Sequence, residues 1–127
     1  MKEKRLKPPT VLLVEDIKDT RYFMRLELEE RGYRVIEAEN GEEAVEMAVR
    51  ERPDIILMDL SLPVMDGLSA AERIRQDSDL RDIPIVAVTA HQETDYRAHA
   101  QDSGFNAYVT KPVNFDWLTD LLNNLLL

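Results

Sequence analysis

The sequence predicts a single α/β domain, an open and doubly wound parallel sheet with helices on both faces. Three observations carry this reading. Five short apolar runs punctuate the chain, and several are continuous rather than alternating. Strands buried on both faces read that way, and they belong to parallel sheets covered by helices. Segments with helical spacing separate the runs, so the order is strand then helix, five times over, with right-handed crossovers expected. The length of 127 residues suits one domain of about 100–150 residues.

Each element follows from local chemistry. Lys2, Lys4, Arg5 and Lys7 form a basic tail ending in Pro8 and Pro9. Residues 1–9 are expected to be a disordered leader, and 10–127 the domain. The first strand is the run at 11–14. Thr20, Phe23, Met24 and Leu28 recur at helical spacing, and Gly32 stops that helix. Val35 and Ile36 mark the second strand. Asn40 followed by Glu43 reads as an N-cap with an acid at N3, opening a helix that carries Ala44, Val45 and Ala48. Pro53 forbids its continuation.

The run at 55–58 is the third strand, and Leu68, Ala71 and Ile74 mark the third helix. Asp66 is read as the cap of that helix rather than a metal ligand. The run at 85–88 is the fourth strand. The segment at 94–103 is the least apolar helix, stopped by Gly104, so its bounds are the least defined. Ala107, Tyr108 and Val109 form the fifth strand. Asn114 caps a fifth helix with Phe115, Leu118, Leu122 and Leu125 on one face. Trp117 and Leu121 lie on a neighbouring stripe, which is either end-of-domain packing or a partner surface.

Composition excludes several classes. There is no cysteine, hence no disulfide scaffold, thiolate metal site or cysteine nucleophile. No apolar run reaches about 18 residues, so no membrane insertion is expected. The first residues lack the apolar core of a signal peptide, which makes the cytoplasm the expected location. A formal net charge of -9 argues against direct nucleic-acid binding.

In doubly wound sheets, ligands bind outside the carboxyl ends of the strands. The first strand ends in Glu15 and Asp16, the third in Asp59, the fourth in Thr89, and the fifth runs through Thr110 to Lys111 and Pro112. Three carboxylates, a hydroxyl and an ammonium thus converge on one edge. The exit after Ile36 offers Glu37 and Glu39 and no comparable cluster. Crowded carboxylates repel. A hard divalent cation relieves the repulsion, and Mg²⁺ takes one or two carboxylates together with water and phosphate oxygens. Lys111 offsets charge on a carboxylate or an incoming phosphoryl group, and Thr89 donates to a phosphoryl oxygen. An aspartate is a competent phosphoryl acceptor through an acyl phosphate. Each residue alone has a bland reading, as a helix cap or a solvent-facing side chain. The joint occurrence in this order favours the chemical one.

Val-Glu-Asp at 14–16, Met-Asp-Leu-Ser-Leu-Pro-Val-Met-Asp-Gly at 58–67, Val-Thr-Ala at 88–90 and Lys-Pro at 111–112 form an ordered set. With them the chain resembles the response-regulator receiver domains (CheY-like) of bacterial two-component and phosphorelay signalling. The resemblance implies a flavodoxin-like fold with five parallel strands in the order 2-1-3-4-5. It implies Asp59 as phosphoacceptor and Mg²⁺ held by Asp16 directly, by Glu15 through water, by Asp59 and by the backbone carbonyl of Ser61. Thr89 and Lys111 would contact the phosphoryl group, Pro63 and Gly67 would shape the loop after Asp59, and Lys111–Pro112 would be a cis peptide.

Tyr108 would be a switch aromatic beside Thr89, although a strand aromatic also reads as core. Ser61, two residues past Asp59, would set access of water to the site. His91 would stand at its rim, although a solvated histidine is the plainer reading. The expected partners are a sensor histidine kinase or histidine phosphotransfer protein as donor. The expected output runs to a downstream protein target or a self-dimer, through the surface of the fourth helix, fifth strand and fifth helix. No enzyme activity is expected beyond self-phosphorylation from a phosphodonor and self-dephosphorylation. Leu62, where methionine is commoner, and Glu15, where aspartate is frequent, are mild departures.

Two other classes fit less well. An aspartate-nucleophile phosphatase pairs the nucleophile with a second Asp two residues on, where this chain has Ser61. A flavin or nucleotide module needs a glycine-rich phosphate loop after the first strand, where Glu15 and Asp16 would repel phosphate.

Overall fold

A computed structural model describes residues 7–90 and 94–127, except the side chains of 94–96. The elements alternate throughout: β1 (Thr10–Val14), α1 (Lys18–Glu30), β2 (Arg34–Ala38), α2 (Gly41–Glu51), β3 (Ile55–Met58), α3 (Gly67–Arg75), β4 (Ile85–Thr89), α4 (Thr94–Asp102), β5 (Ala107–Thr110) and α5 (Phe115–Leu125). All pairings are parallel, and the strand order is β2-β1-β3-β4-β5. A short 3₁₀ turn at Ser78–Leu80, which hydrophobic spacing does not reveal, precedes β4.

The continuous apolar runs have a direct explanation. Successive strand residues point to opposite faces, and both faces are covered here. Leu12, Val14, Ile56, Met58, Ile85 and Ala87 pack with Ala44 and Ala48 of α2, Ala70, Ala71 and Ile74 of α3, and Ala100 of α4. Val11, Leu13, Ile55, Leu57, Val86, Val88 and Val109 pack on the other face with Met24 and Leu28 of α1 and Leu118 and Leu122 of α5.

Helix ends follow the capping residues. The side chains of Asn40, Asp66 and Asn114 accept from the backbone N–H groups of Glu43, Ser69 and Trp117. Among the described N-caps of the α-helices α1 is the exception, since Ile17 at its N-cap position offers no side-chain bond. β2 is longer than the pair Val35 and Ile36 suggests. It runs in full register with β1 from Thr10↔Arg34 to Val14↔Ala38. Glu37 therefore lies within the strand and pairs with Arg21 and Arg25 of α1.

Two glycines allow close approach of backbone. A Cβ on Gly67 would stand 2.3 Å from the Asp59 carbonyl oxygen, and one on Gly41 would stand 1.9 Å from the Met65 oxygen. The loop from 59 to 67 is thus pressed between β3 and the start of α2. Within it Val64 adopts φ 69°, unusual for a β-branched residue. Among the described residues no helix is long and apolar enough to cross a membrane.

Candidate functional site

Sheet register builds the site. Val14 lies beside Met58, and the Asp59 N–H donates to the Val14 carbonyl at 3.1 Å, so Glu15 and Asp59 leave adjacent strands together. Thr89 lies beside Thr110, and the Lys111 N–H donates to the Thr89 carbonyl at 2.9 Å. Four strand ends therefore deliver Glu15, Asp59, Thr89 and Lys111 to one edge. The Lys111–Pro112 peptide is cis.

Lys111 is the centre of the arrangement. Its Nζ donates to Glu15 Oε1 at 2.7 Å and to Asp59 Oδ2 at 3.0 Å. Both carboxylates have a second donor. The Ser61 N–H reaches Asp59 Oδ1 at 3.0 Å, and the Ile17 N–H reaches Glu15 Oε2 at 3.1 Å. Glu15 is 1% exposed and Asp59 8%, so these are desolvated charges that need such partners. Burial pulls the Lys111 ammonium down, but its hydrogen bonds to Glu15 and Asp59 outweigh that, and its pKa lies above the usual lysine value.

The other expected site residues differ in burial and contacts. Thr89 is fully buried at the end of β4. Asp16 and Ser61 are exposed beside the cluster. Asp66 points to its own helix, its Oδ1 accepting from the Ser69 N–H at 2.8 Å. Tyr108 is half-buried, with the Arg97 guanidinium over its ring. His91 lies outside the described residues, as do positions 1–6 of the basic tail.

Donor chemistry fits a hard cation. Glu15, Asp16, Asp59 and the Ser61 carbonyl offer oxygen donors only, which suits Mg²⁺. Among the described residues no group of three His, Cys, Asp or Glu stands close enough to hold a metal by itself. The positive charge on the buried carboxylates here is the Lys111 ammonium.

Two supports escape sequence reasoning. Arg21 donates from Nη1 to the Glu15 carbonyl at 2.8 Å and from Nε to Glu37 at 3.0 Å, bracing the loop after β1. Arg75 reaches the carbonyls of Leu80, Arg81, Ile83 and Gly104 and the Asn106 side chain. Each sits on a helix where an arginine reads as a solvated face residue, and no spacing signals its carbonyl partners.

Comparison with known proteins agrees with this fold. A family model described as the response regulator receiver domain matches residues 11–123. The polar-differentiation response regulator DivK of Brucella anthropi is 37% identical over 107 residues, covering 84% of this chain and 87% of that protein. Protein PilH of Pseudomonas aeruginosa is 35% identical over 117 residues, covering 91% and 96%. Among solved structures, the receiver domain of a Pseudomonas aeruginosa sensor histidine kinase superposes with TM-score 0.88 at 37% identity. It covers 94% of this chain and 98% of that one, and it holds a magnesium ion in its active-site cleft. The strand order, the strand-end carboxylates and these relatives lead to one conclusion: the chain belongs to the response regulator receiver domain family.

Proposed function

We propose that this chain is a phosphorylation-controlled signalling switch whose acceptor is Asp59. The observation that carries the reading is the buried Asp59 carboxylate held by Lys111 Nζ and the Ser61 N–H at the carboxyl edge of the sheet. A carboxylate oxygen of Asp59 bonds to phosphorus as the bond from phosphorus to the donor's imidazole nitrogen breaks, and the imidazole leaves. Lys111 stays beside the acceptor and offsets its charge, and Thr89 offers a hydroxyl to a phosphoryl oxygen. Such positioning and charge neutralisation supply most of the catalysis in phosphoryl transfer.

Glu15, Asp16, Asp59 and the Ser61 carbonyl are the residues that would hold Mg²⁺, which supplies charge neutralisation for the transferred group. The donor is a histidine kinase or a histidine phosphotransfer protein. Its protein nature is supported by two exposed apolar side chains next to the site, Ile17, whose N–H meets Glu15, and Phe23, which lines a cleft with Lys111. The small Ser61 leaves the approach of water to the acyl phosphate open. The output is read by a protein target or a second copy through α4, β5 and α5, where Trp117 is 54% exposed.

The test is mass spectrometry after incubation with Mg²⁺ and a small-molecule phosphodonor such as acetyl phosphate. Wild type gains one phosphoryl mass, and Asp59→Asn gains none while keeping its circular dichroism spectrum. A wild-type increment in Asp59→Asn overturns the assignment.

A further inference from the structure

The turn from β1 into α1 carries the two neighbouring acids, and its backbone is held from several directions. The Glu15 N–H donates to the Ala38 carbonyl of β2 at 3.1 Å, which continues the sheet by one rung. On the far side, the Ile17 N–H meets the Glu15 carboxylate at 3.1 Å. The Glu15–Asp16 peptide lies between these two points. Its carbonyl accepts from a side chain, Arg21 Nη1 at 2.8 Å. Arg21 therefore bears on the peptide plane from which Asp16, exposed at the edge of the sheet, departs.

Arg21 is itself firmly moored. Its side chain is 11% exposed, and arginines are rarely buried so far unless paired. Nε donates to Glu37 Oε1 at 3.0 Å, and Nη2 stands 3.6 Å from Glu39 Oε1. The other oxygen of Glu37 accepts from Arg25 Nη1 at 2.9 Å. Glu37 belongs to β2, in register with Leu13, so the guanidinium is fastened to the sheet as well as to α1. A planar fork held along one edge has the direction of its remaining N–H groups fixed. Glu37 and Glu39 also offset its charge, which lessens its repulsion of a cation beside Asp16.

We infer that Arg21 is a positioning residue of the candidate cation site: it fixes the Glu15–Asp16 peptide so that Glu15 turns onto Lys111 while Asp16 is held out at the carboxyl edge to take a hard cation. Without that bond the peptide samples other orientations, and a fraction of molecules presents Asp16 productively. The apparent affinity for the cation falls by that fraction. Outer partners that orient metal ligands are commonly worth about tenfold or more in metal affinity. The sign separates this role from a simple charge effect. Losing a cationic side chain near the site would, by charge alone, tighten Mg²⁺ binding, whereas losing the brace weakens it. The inference rests on the reading above of Glu15, Asp16 and Asp59 as residues that hold Mg²⁺.

The experiment titrates MgCl₂ into the full, unphosphorylated chain and reads Kd from amide shifts, with Asp16→Ala as the control for the site. Arg21→Met removes the fork and its charge, and Kd should rise about tenfold. Arg21→Lys keeps the charge, but one ammonium does not span the Glu15 carbonyl and Glu37 as the fork does, so Kd should rise about threefold. In Mg²⁺-free protein the Asp16 amide resonance should move in both variants, while those of Leu12 and Leu13 inside β1 stay in place. A Kd for Arg21→Met equal to or below that of wild type overturns the inference, as does an unmoved Asp16 amide. If circular dichroism shows that Arg21→Met does not fold, Arg21→Lys decides: a Kd at or below the wild-type value overturns it. Wild type that shows no Mg²⁺-dependent shifts, or Asp16→Ala that binds as wild type does, overturns the cation-site reading and the positioning role together. If wild type binds, Asp16→Ala does not, and Arg21→Met binds normally, the positioning role fails alone.

Discussion

Replacing Lys111 by methionine removes the one ammonium that two buried carboxylates share. The side chains of Glu15 and Asp59 are 2% and 11% exposed, and that of Lys111 is 25% exposed. Each charge-assisted hydrogen bond is worth about 1.5–3 kcal/mol, and stripping one partner from a fully buried pair costs about 3–5 kcal/mol. Lys111 is a quarter exposed, so water enters to solvate what is left, and the loss falls to roughly 2–3 kcal/mol. For a domain of this size that lowers Tm by about 8 °C. Thermal and urea unfolding followed by far-UV circular dichroism measure it. The second arm adds Glu15→Gln. Glu15 is the more deeply buried carboxylate, so neutralising it should return about 1–2 kcal/mol of the loss. A Lys111→Met protein within about 0.5 kcal/mol of wild type would refute the reasoning. So would strictly additive effects of the two substitutions, because Lys111 would then not be the counter-charge of Glu15.

The pH dependence follows from the same contact. The folded Lys111 pKa lies above its ordinary 10.5, so its contribution is fully present below 10.5 and is lost as pH climbs through the raised value. The stability gap between wild type and Lys111→Met should be flat near neutral pH and, on the alkaline side, close only as pH climbs past about 10.5; a gap that already closes between pH 7 and about 9 contradicts it. Gly67→Ala should cost about 3 kcal/mol, since its Cβ would lie 2.3 Å from the Asp59 oxygen and 2.9 Å from Leu60 Cα. Chemical denaturation shows this, with amide shifts centred on 59–61. Val64→Asn should stabilise by about 1 kcal/mol, because asparagine tolerates φ near 69° and Val64, 75% exposed, has little packing to lose. A lower Tm for that variant would mean Val64 is not strained.

Much of this protein was legible as sequence because the signals are local. Asn40, Asp66 and Asn114 cap their helices through atoms three residues away, so no distant contact is needed to place them. The strands announce themselves because burial on both faces demands continuous apolar runs, and strand ends bound the candidate site. The local signal understates a strand that is only half-covered. β2 lies at the sheet edge, with Ala38 its only fully buried residue, and its polar Glu37 reads as a loop.

Local chemistry along the chain sets the alternation of elements, the side-chain caps and the set of residues gathered at the carboxyl edge. How those residues divide the work is set by long-range packing. Glu15 and Asp16 are neighbours of like charge, yet Glu15 is buried against Lys111 while Asp16 faces water. Which of the two turns inward depends on where β1 lies between β2 and β3. Likewise, nothing near Arg75 or Arg97 in the chain indicates that one fastens the end of α4 and the other covers Tyr108. Their partners are 29 residues away for Gly104 and in the next strand for Tyr108. A long polar side chain takes whatever acceptor or ring the fold brings within reach. Periodicity records only that it was not buried in the apolar core.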